Sequence, residues 1–118
     1  MAGSEQKSFD TPDEVREFPL GRAEIVKIGG GEVGRLFVEP GWVWSEHVGK
    51  ATGESLCQVE HVGLVVSGRC AVKMTDGTDY ELTPGDLFHV AAGHDSWVIG
   101  DQPYISLHFL GATDYAKR

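Results

Sequence analysis

Cys57 and His61, two residue types that can hold a metal ion or act as nucleophile and base, fall four positions apart in this chain. On an extended strand alternate residues share a face, so Cys57, Val59 and His61 point one way while Gln58 and Glu60 point the other. Four residues of regular strand separate the two Cα atoms by about 13 Å, too far for a thiol to meet an imidazole. A bulge or sharp bend between them closes that gap, and the pair then reads either as two ligands of one ion or as a nucleophile with its base. Each residue also has an ordinary structural reading. Free cysteine packs like a small hydrophobe, and a buried histidine needs only a hydrogen-bond partner.

The other histidines divide by context. His94 lies between Gly93 and Asp95, which suits a ligand, a general base or a loop residue held by its neighbour. His108 interrupts the apolar run from Tyr104 to Leu110, where an inward imidazole requires a polar partner, and it reads mainly as a core or rim residue. His89 alternates with Phe88 and Val90 and is expected on the outer surface. Gly29, Gly30 and Gly31 lack the lysine and helix of a phosphate loop, and no serine sits in a nucleophile elbow.

The elements that must position these residues read as strands. Arg22 to Ile28, Glu32 to Glu39, Trp42 to Val48, Leu56 to Ser67, Arg69 to Thr75, Thr78 to Leu82, Leu87 to Val90, Ser96 to Ile99 and Tyr104 to Leu110 are short, and Gly or Pro turns separate most of them. The glycine triplet and Asp76-Gly77 predict hairpins. Thr11, Pro12 and Glu14 resemble an N-cap, a first-turn proline and a capping-box acid, which predicts a single helical turn ending near Phe18 and Pro19. Residues 1–20 are therefore expected as a leader with a short helical turn, and residues 21–118 as one all-β domain, a barrel or sandwich. Trp42 and Trp44 share a strand face and, with Phe37, are expected to pack the core or a contact between subunits. Glu46 is expected to be solvated.

With 118 residues and 41% hydrophobic content, the chain suits one domain with one core. A net charge of −8 repels a phosphate backbone, so nucleic acid is not an expected partner. No run of about eighteen apolar residues could span a bilayer, so no membrane is expected. The polar start carries no secretory pattern, and two cysteines make no disulfide framework, so the expected location is cytoplasmic.

Two segments carry a family resemblance. One runs from Cys57 to Gly68; the other runs from Gly85 to His94 and continues through Asp95, Ser96 and Trp97 to Gly100 and Pro103. From Pro40 to Gly111 the chain resembles a cupin. The first segment looks like the second half of the family's first motif, which has two histidines, a glutamate and a glycine. Aligned on Gly68, His61 takes the glutamate position, Cys57 the second histidine and Ser55 the first. The second segment looks like the second motif, in which a Gly-Asp turn leads through a strand to a Pro-Pro-Gly loop and a histidine. Ala91 and Ala92 stand in place of the prolines, and His94 takes the histidine's place if the loop is shortened, Ser96 if it is not.

The resemblance implies a cupin double-stranded β-helix, or jelly-roll barrel, whose curvature lets Cys57 and His61 converge and brings His94 across from a neighbouring strand. One sulfur and two nitrogens suit zinc or another late first-row ion, and iron, nickel, copper and manganese also come within the implied range of divalent metals. Three ligands leave a position for water or substrate. His108, His47 and Ser96 are possible additional ligands or pocket residues. The expected function is a small metal-binding cupin, an enzyme acting on an unidentified small molecule at the barrel mouth. The alternative is a non-catalytic cupin that binds a ligand or serves as a sensor. A purely structural or interaction domain is a third reading, favoured if side chains fill the mouth. Exposed sheet edges and three tryptophans suggest a homodimer, with the residues before Phe37 pairing with the other subunit.

Overall fold

Alternation decides the strands. In the segment from Arg69 to Met74, Cys70 and Val72 are buried while Arg69 and Lys73 are exposed, as a half-buried strand requires. The same logic produces nine strands among the described residues of this computed structural model, which are residues 3–117. The first two residues of the expected leader and Arg118, the last of the expected domain, lie outside them.

The strands are β1 (Glu14–Phe18), β2 (Gly21–Ile28), β3 (Gly31–Val38), β4 (His61–Ser67), β5 (Arg69–Met74), β6 (Asp79–Leu82), β7 (Leu87–Val90), β8 (His94–Ile99) and β9 (Tyr104–Leu110). They form two antiparallel sheets, one in the order β1-β2-β3-β9-β4-β7 and one in the order β6-β5-β8. Side chains from both sheets share one core that includes Val38, Trp42, Val65, Cys70, Val72, Val98 and Tyr104. The glycine turn between β2 and β3 forms as the sequence predicts, with Gly29 and Gly30 at φ of 60° and 79°, where a side chain would be strained. No helix among the described residues is long and apolar enough to cross a membrane.

Two elements differ from expectation. The predicted helical turn at Thr11–Phe18 is the strand β1. Its backbone finds partners on β2: Glu14 pairs with Ile25, the Asp13 N–H donates to the Ile25 carbonyl at 2.9 Å, and the Asp13 carboxylate accepts the Lys27 N–H at 2.7 Å. One isolated helical turn has little stability of its own, so a sheet edge with open backbone groups wins.

The predicted strand Trp42–Val48 is the other. Only Val43 bridges to a strand, at Trp97, and the chain then turns into α1 (Trp44–His47) and α2 (Gly49–Thr52). The Asp95 carboxylate turns it there by accepting the Ser45 N–H at 3.0 Å and the Ser45 hydroxyl at 2.8 Å. Gly53, in the left-handed region, ends α2 with its N–H on the Gly49 carbonyl at 2.8 Å. Trp42 and Trp44 are both buried, so their alternation reflects burial through a turn.

Candidate metal centre

The bend that the Cys57–His61 spacing demands lies at Gln58–Glu60. These three residues belong to no strand, and β4 begins only at His61, later than the expected start at Leu56. Cys57 forms an isolated bridge with His94, the first residue of β8. Its N–H donates to the His94 carbonyl at 2.8 Å and its carbonyl accepts the N–H groups of Gly93 and His94 at 2.8 and 3.2 Å. Backbone pairing therefore fixes Cys57 beside His94, and the bend swings His61 onto both.

The three side chains converge. Cys57 Sγ lies 3.6 Å from His61 Nε2, and the potential donor atoms of Cys57, His61 and His94 all lie within 4.8 Å of one another. An ion with tetrahedral ligands at zinc distances needs donor separations of about 3.5 Å, so the first pair already fits and the wider gaps exceed the ideal by roughly 1 Å. His61 and His94 are 5% and 3% exposed, and their ring centroids are 5.2 Å apart. The His94 Nδ1–H donates to the Ala91 carbonyl at 2.7 Å, which fixes the tautomer and leaves the Nε2 lone pair free. His61 Nδ1 is buried without a partner.

Electrostatics keeps every member neutral. Burial, with His108 and His94 adding to it, pushes His61 down to about 2. Burial also lowers His94, against the opposing pull of the Ala91 carbonyl and Asp95. The Cys57 thiol is pushed up by burial to about 11. Two neutral imidazoles and one thiol form a donor set for a late divalent ion, which would displace the thiol proton on binding.

His108 and Tyr115 pack against the cluster. His108, 8% exposed, stacks edge-on to His61 with centroids 5.1 Å apart, and its Nε2 contacts Ser106 Oγ at 2.8 Å. Its Nδ1 has no partner, and burial pushes it down to about 4. Tyr115 packs edge-on to His61, centroids 5.5 Å apart, and burial raises its phenol well above the ordinary value. The segment carrying Tyr115 is held from the far edge of the sheet, because the Arg16 guanidinium on β1 donates to the carbonyls of Tyr115 and Ala112 at 2.8 and 3.2 Å. A cavity of about 40 Å³ remains, lined by His61, His94, His108, Ser96, Tyr104 and Tyr115 among others.

No family model matches the sequence, and no curated protein matches it. Solved structures do. A cupin-superfamily sugar phosphate isomerase from Silicibacter pomeroyi superposes with a TM-score of 0.62 at 16% identity, covering 88% of this chain and 73% of that one. A double-stranded β-helix protein from Klebsiella pneumoniae gives 0.61 at 17%, covering 95% and 93%. The 11S allergen of Cocos nucifera gives 0.61 at 15%, covering 91% of this chain. This chain has the cupin fold. It spans 34% of the coconut chain and 30% of CapF, another similar structure, and 97% of a Vibrio parahaemolyticus domain of unknown function.

On this cupin frame Cys57, His61 and His94 come together, His108 joins them from β9, and Ser96 lines the cavity. His47, expected as a possible ligand or pocket residue, is not part of the gathering. Its Nδ1 accepts the Val43 N–H at 2.9 Å, so α1 uses the ring for its own turn. His89 faces outward and contacts Glu60. Ser106 and Tyr115 were not singled out by sequence. For Ser106 a signal exists, since Tyr104, Ser106 and His108 alternate as the polar-bearing face of an otherwise apolar strand. Gly111 is a further unpredicted requirement: at φ 96°, a Cβ there would meet the Glu60 carbonyl at 2.4 Å and His61 Nδ1 at 2.8 Å.

Proposed function

We propose that the protein is a metal-binding cupin that holds one divalent ion on Cys57 Sγ and the imidazoles of His61 and His94 and acts on a small molecule beside it. The observation that carries this reading is the convergence of three buried donors within 4.8 Å, brought together by the Cys57–His94 bridge. One thiolate with two imidazoles favours zinc, then iron, nickel or copper; manganese prefers oxygen ligands. When bound, the ion supplies Lewis acidity at its remaining coordination position.

The chain's own residues do the rest. The Ala91 carbonyl orients His94, the Ser106–His108 pair can hold a proton next to His61, and Tyr115 keeps bulk water out. A water needs about 10–15 Å³ of such space, so a cavity of about 40 Å³ takes roughly three. A reactant enters as a few-atom molecule or with Tyr115 displaced.

A second reading holds the ion without catalysis in a domain that serves ligand binding or sensing, while the filled interior itself favours the third, a structural or interaction domain. Metal analysis of protein purified without a histidine tag separates these from a metal-free interaction domain: about one equivalent of ion, lost in His61→Ala, is expected. Unchanged metal content in His61→Ala, or none in the wild type under zinc-replete conditions, overturns the metal-site reading. Bound metal with no exchange of the fourth ligand would leave only the non-catalytic form.

A further inference from the structure

Among the described residues, four buried side-chain nitrogens have no hydrogen-bond partner, and three of them belong to residues that line the central cavity: Trp42 Nε1, His61 Nδ1 and His108 Nδ1. The fourth, Trp44 Nε1, belongs to a residue outside that lining. Buried polar atoms of folded proteins are satisfied in the large majority, so exceptions gathered around one cavity mark a place where something else binds. His61 Nδ1 is turned toward Gly111, where a Cβ would approach it to 2.8 Å. Trp42 and His108, 1% and 8% exposed, are left to serve an occupant.

Both are held in place. The Trp42 N–H donates to the Glu39 carbonyl and the Trp42 carbonyl accepts the Val98 N–H, each at 3.1 Å, while the indole packs on Phe18 with ring centroids 6.3 Å apart. His108 is fixed through Nε2, which lies 2.8 Å from Ser106 Oγ. An indole nitrogen can only donate. When the Ser106 hydroxyl donates to His108 Nε2, the ring proton sits on Nδ1, which then donates as well. An occupant that satisfies both must present acceptor oxygens.

Charge and size narrow the class. Among the described residues no Lys, Arg, Asp or Glu lines the cavity, and burial keeps its His61 and His108 rings neutral, so an anion alone there has no counter-charge. A divalent ion on one thiolate and two neutral imidazoles retains a single positive charge, which balances a monoanion and falls short of a phosphate dianion. The space of roughly three waters matches the heavy atoms of formate or acetate and is too small for phosphate. We infer that the cavity is a subsite for a short carboxylate, formate or acetate in size, whose oxygens accept hydrogen bonds from Trp42 Nε1 and His108 Nδ1 and whose charge the bound ion balances. The inference rests on the metal-site reading and adds to it the charge and size of the ligand and the donors that select it.

Nuclear magnetic resonance of the nitrogen-15-labelled full chain tests it. The readout is the Trp42 indole N–H resonance, assigned by its loss in Trp42→Phe, and the probes are sodium acetate, sodium formate, acetamide and inorganic phosphate. In the zinc-loaded protein acetate and formate are expected to move that resonance downfield while those of Trp44 and Trp97 stay in place. Acetamide and phosphate are expected to move nothing, nor acetate in the metal-free protein. Trp42→Phe, with zinc content and circular dichroism unchanged, is expected to weaken acetate binding in calorimetry about tenfold or more. Should that core variant fail to fold, the resonance shift in the wild type decides the matter alone. Failure of the wild type to take up zinc overturns the metal-site reading and this inference together. Zinc uptake with an unmoved Trp42 resonance overturns this inference alone and leaves a cavity that holds ordered water only. An equal shift with acetamide overturns the carboxylate assignment, and unchanged acetate affinity in a folded Trp42→Phe overturns the role of the indole.

Discussion

The site is a set of neutral groups kept from water, and acid is the natural probe of that state. His61 and His108 have folded values of about 2 and about 4, well below the ordinary 6.5, because burial penalises the imidazolium. A depressed value means that the unfolded chain takes up protons first. The stability gained from keeping these rings neutral is complete above about pH 6.5 and is lost as pH falls toward those folded values, at up to about 1.4 kcal/mol per unit per ring. The metal-free protein should therefore show a melting point that declines steadily from pH 7 to pH 4.5, measured by scanning calorimetry, and a bound ion should flatten the upper part of that profile. A flat metal-free profile would mean that the rings are wetter than their packing implies. Cys57 works at the other end: its thiol, raised to about 11 by burial, confers stability that is complete below about pH 9 and fades as pH climbs through 11.

At the scale of elements, Asp95 joins the helical corner to the centre. Its carboxylate, one residue after His94, accepts the Ser45 N–H and hydroxyl and the Ser96 N–H. Asp95→Ala should cost about 2 kcal/mol through groups left without partners, seen as a melting point lower by about 8 °C. The corner also shows how far sequence reading reaches. Period-two alternation and glycine turns made β2, β3, β5 and β9 legible, because those signals are local. The β1 segment carried a genuine helix-start pattern and was overruled by backbone groups on β2 that no local signal announces. Trp42 and Trp44 mimicked a strand because burial on alternate residues looks the same whether the chain runs straight or turns on a distant carboxylate. Cys57, His61 and His94 were legible as residue types and through family resemblance, and the Gln58–Glu60 bend supplies what their spacing alone could not. Tyr115 was invisible, since nothing near it in sequence states that Arg16 holds its carbonyl.

Across the whole molecule, that grip ties one edge of the larger sheet to the cover over the site. Arg16→Ala removes both hydrogen bonds to the covering segment, and the expected outcome is faster modification of Cys57 by a thiol reagent in a Cys70→Ala background, with the far-ultraviolet spectrum unchanged. Unaltered labelling would show that packing of the Tyr115 ring, not the guanidinium, keeps the cover shut. Strand β9 has a wider meaning: it carries Ser106 and His108 toward the centre while Leu107 and Phe109 lie on its opposite face, so a substitution on the outer face is felt by the same backbone that holds the inner imidazole in place.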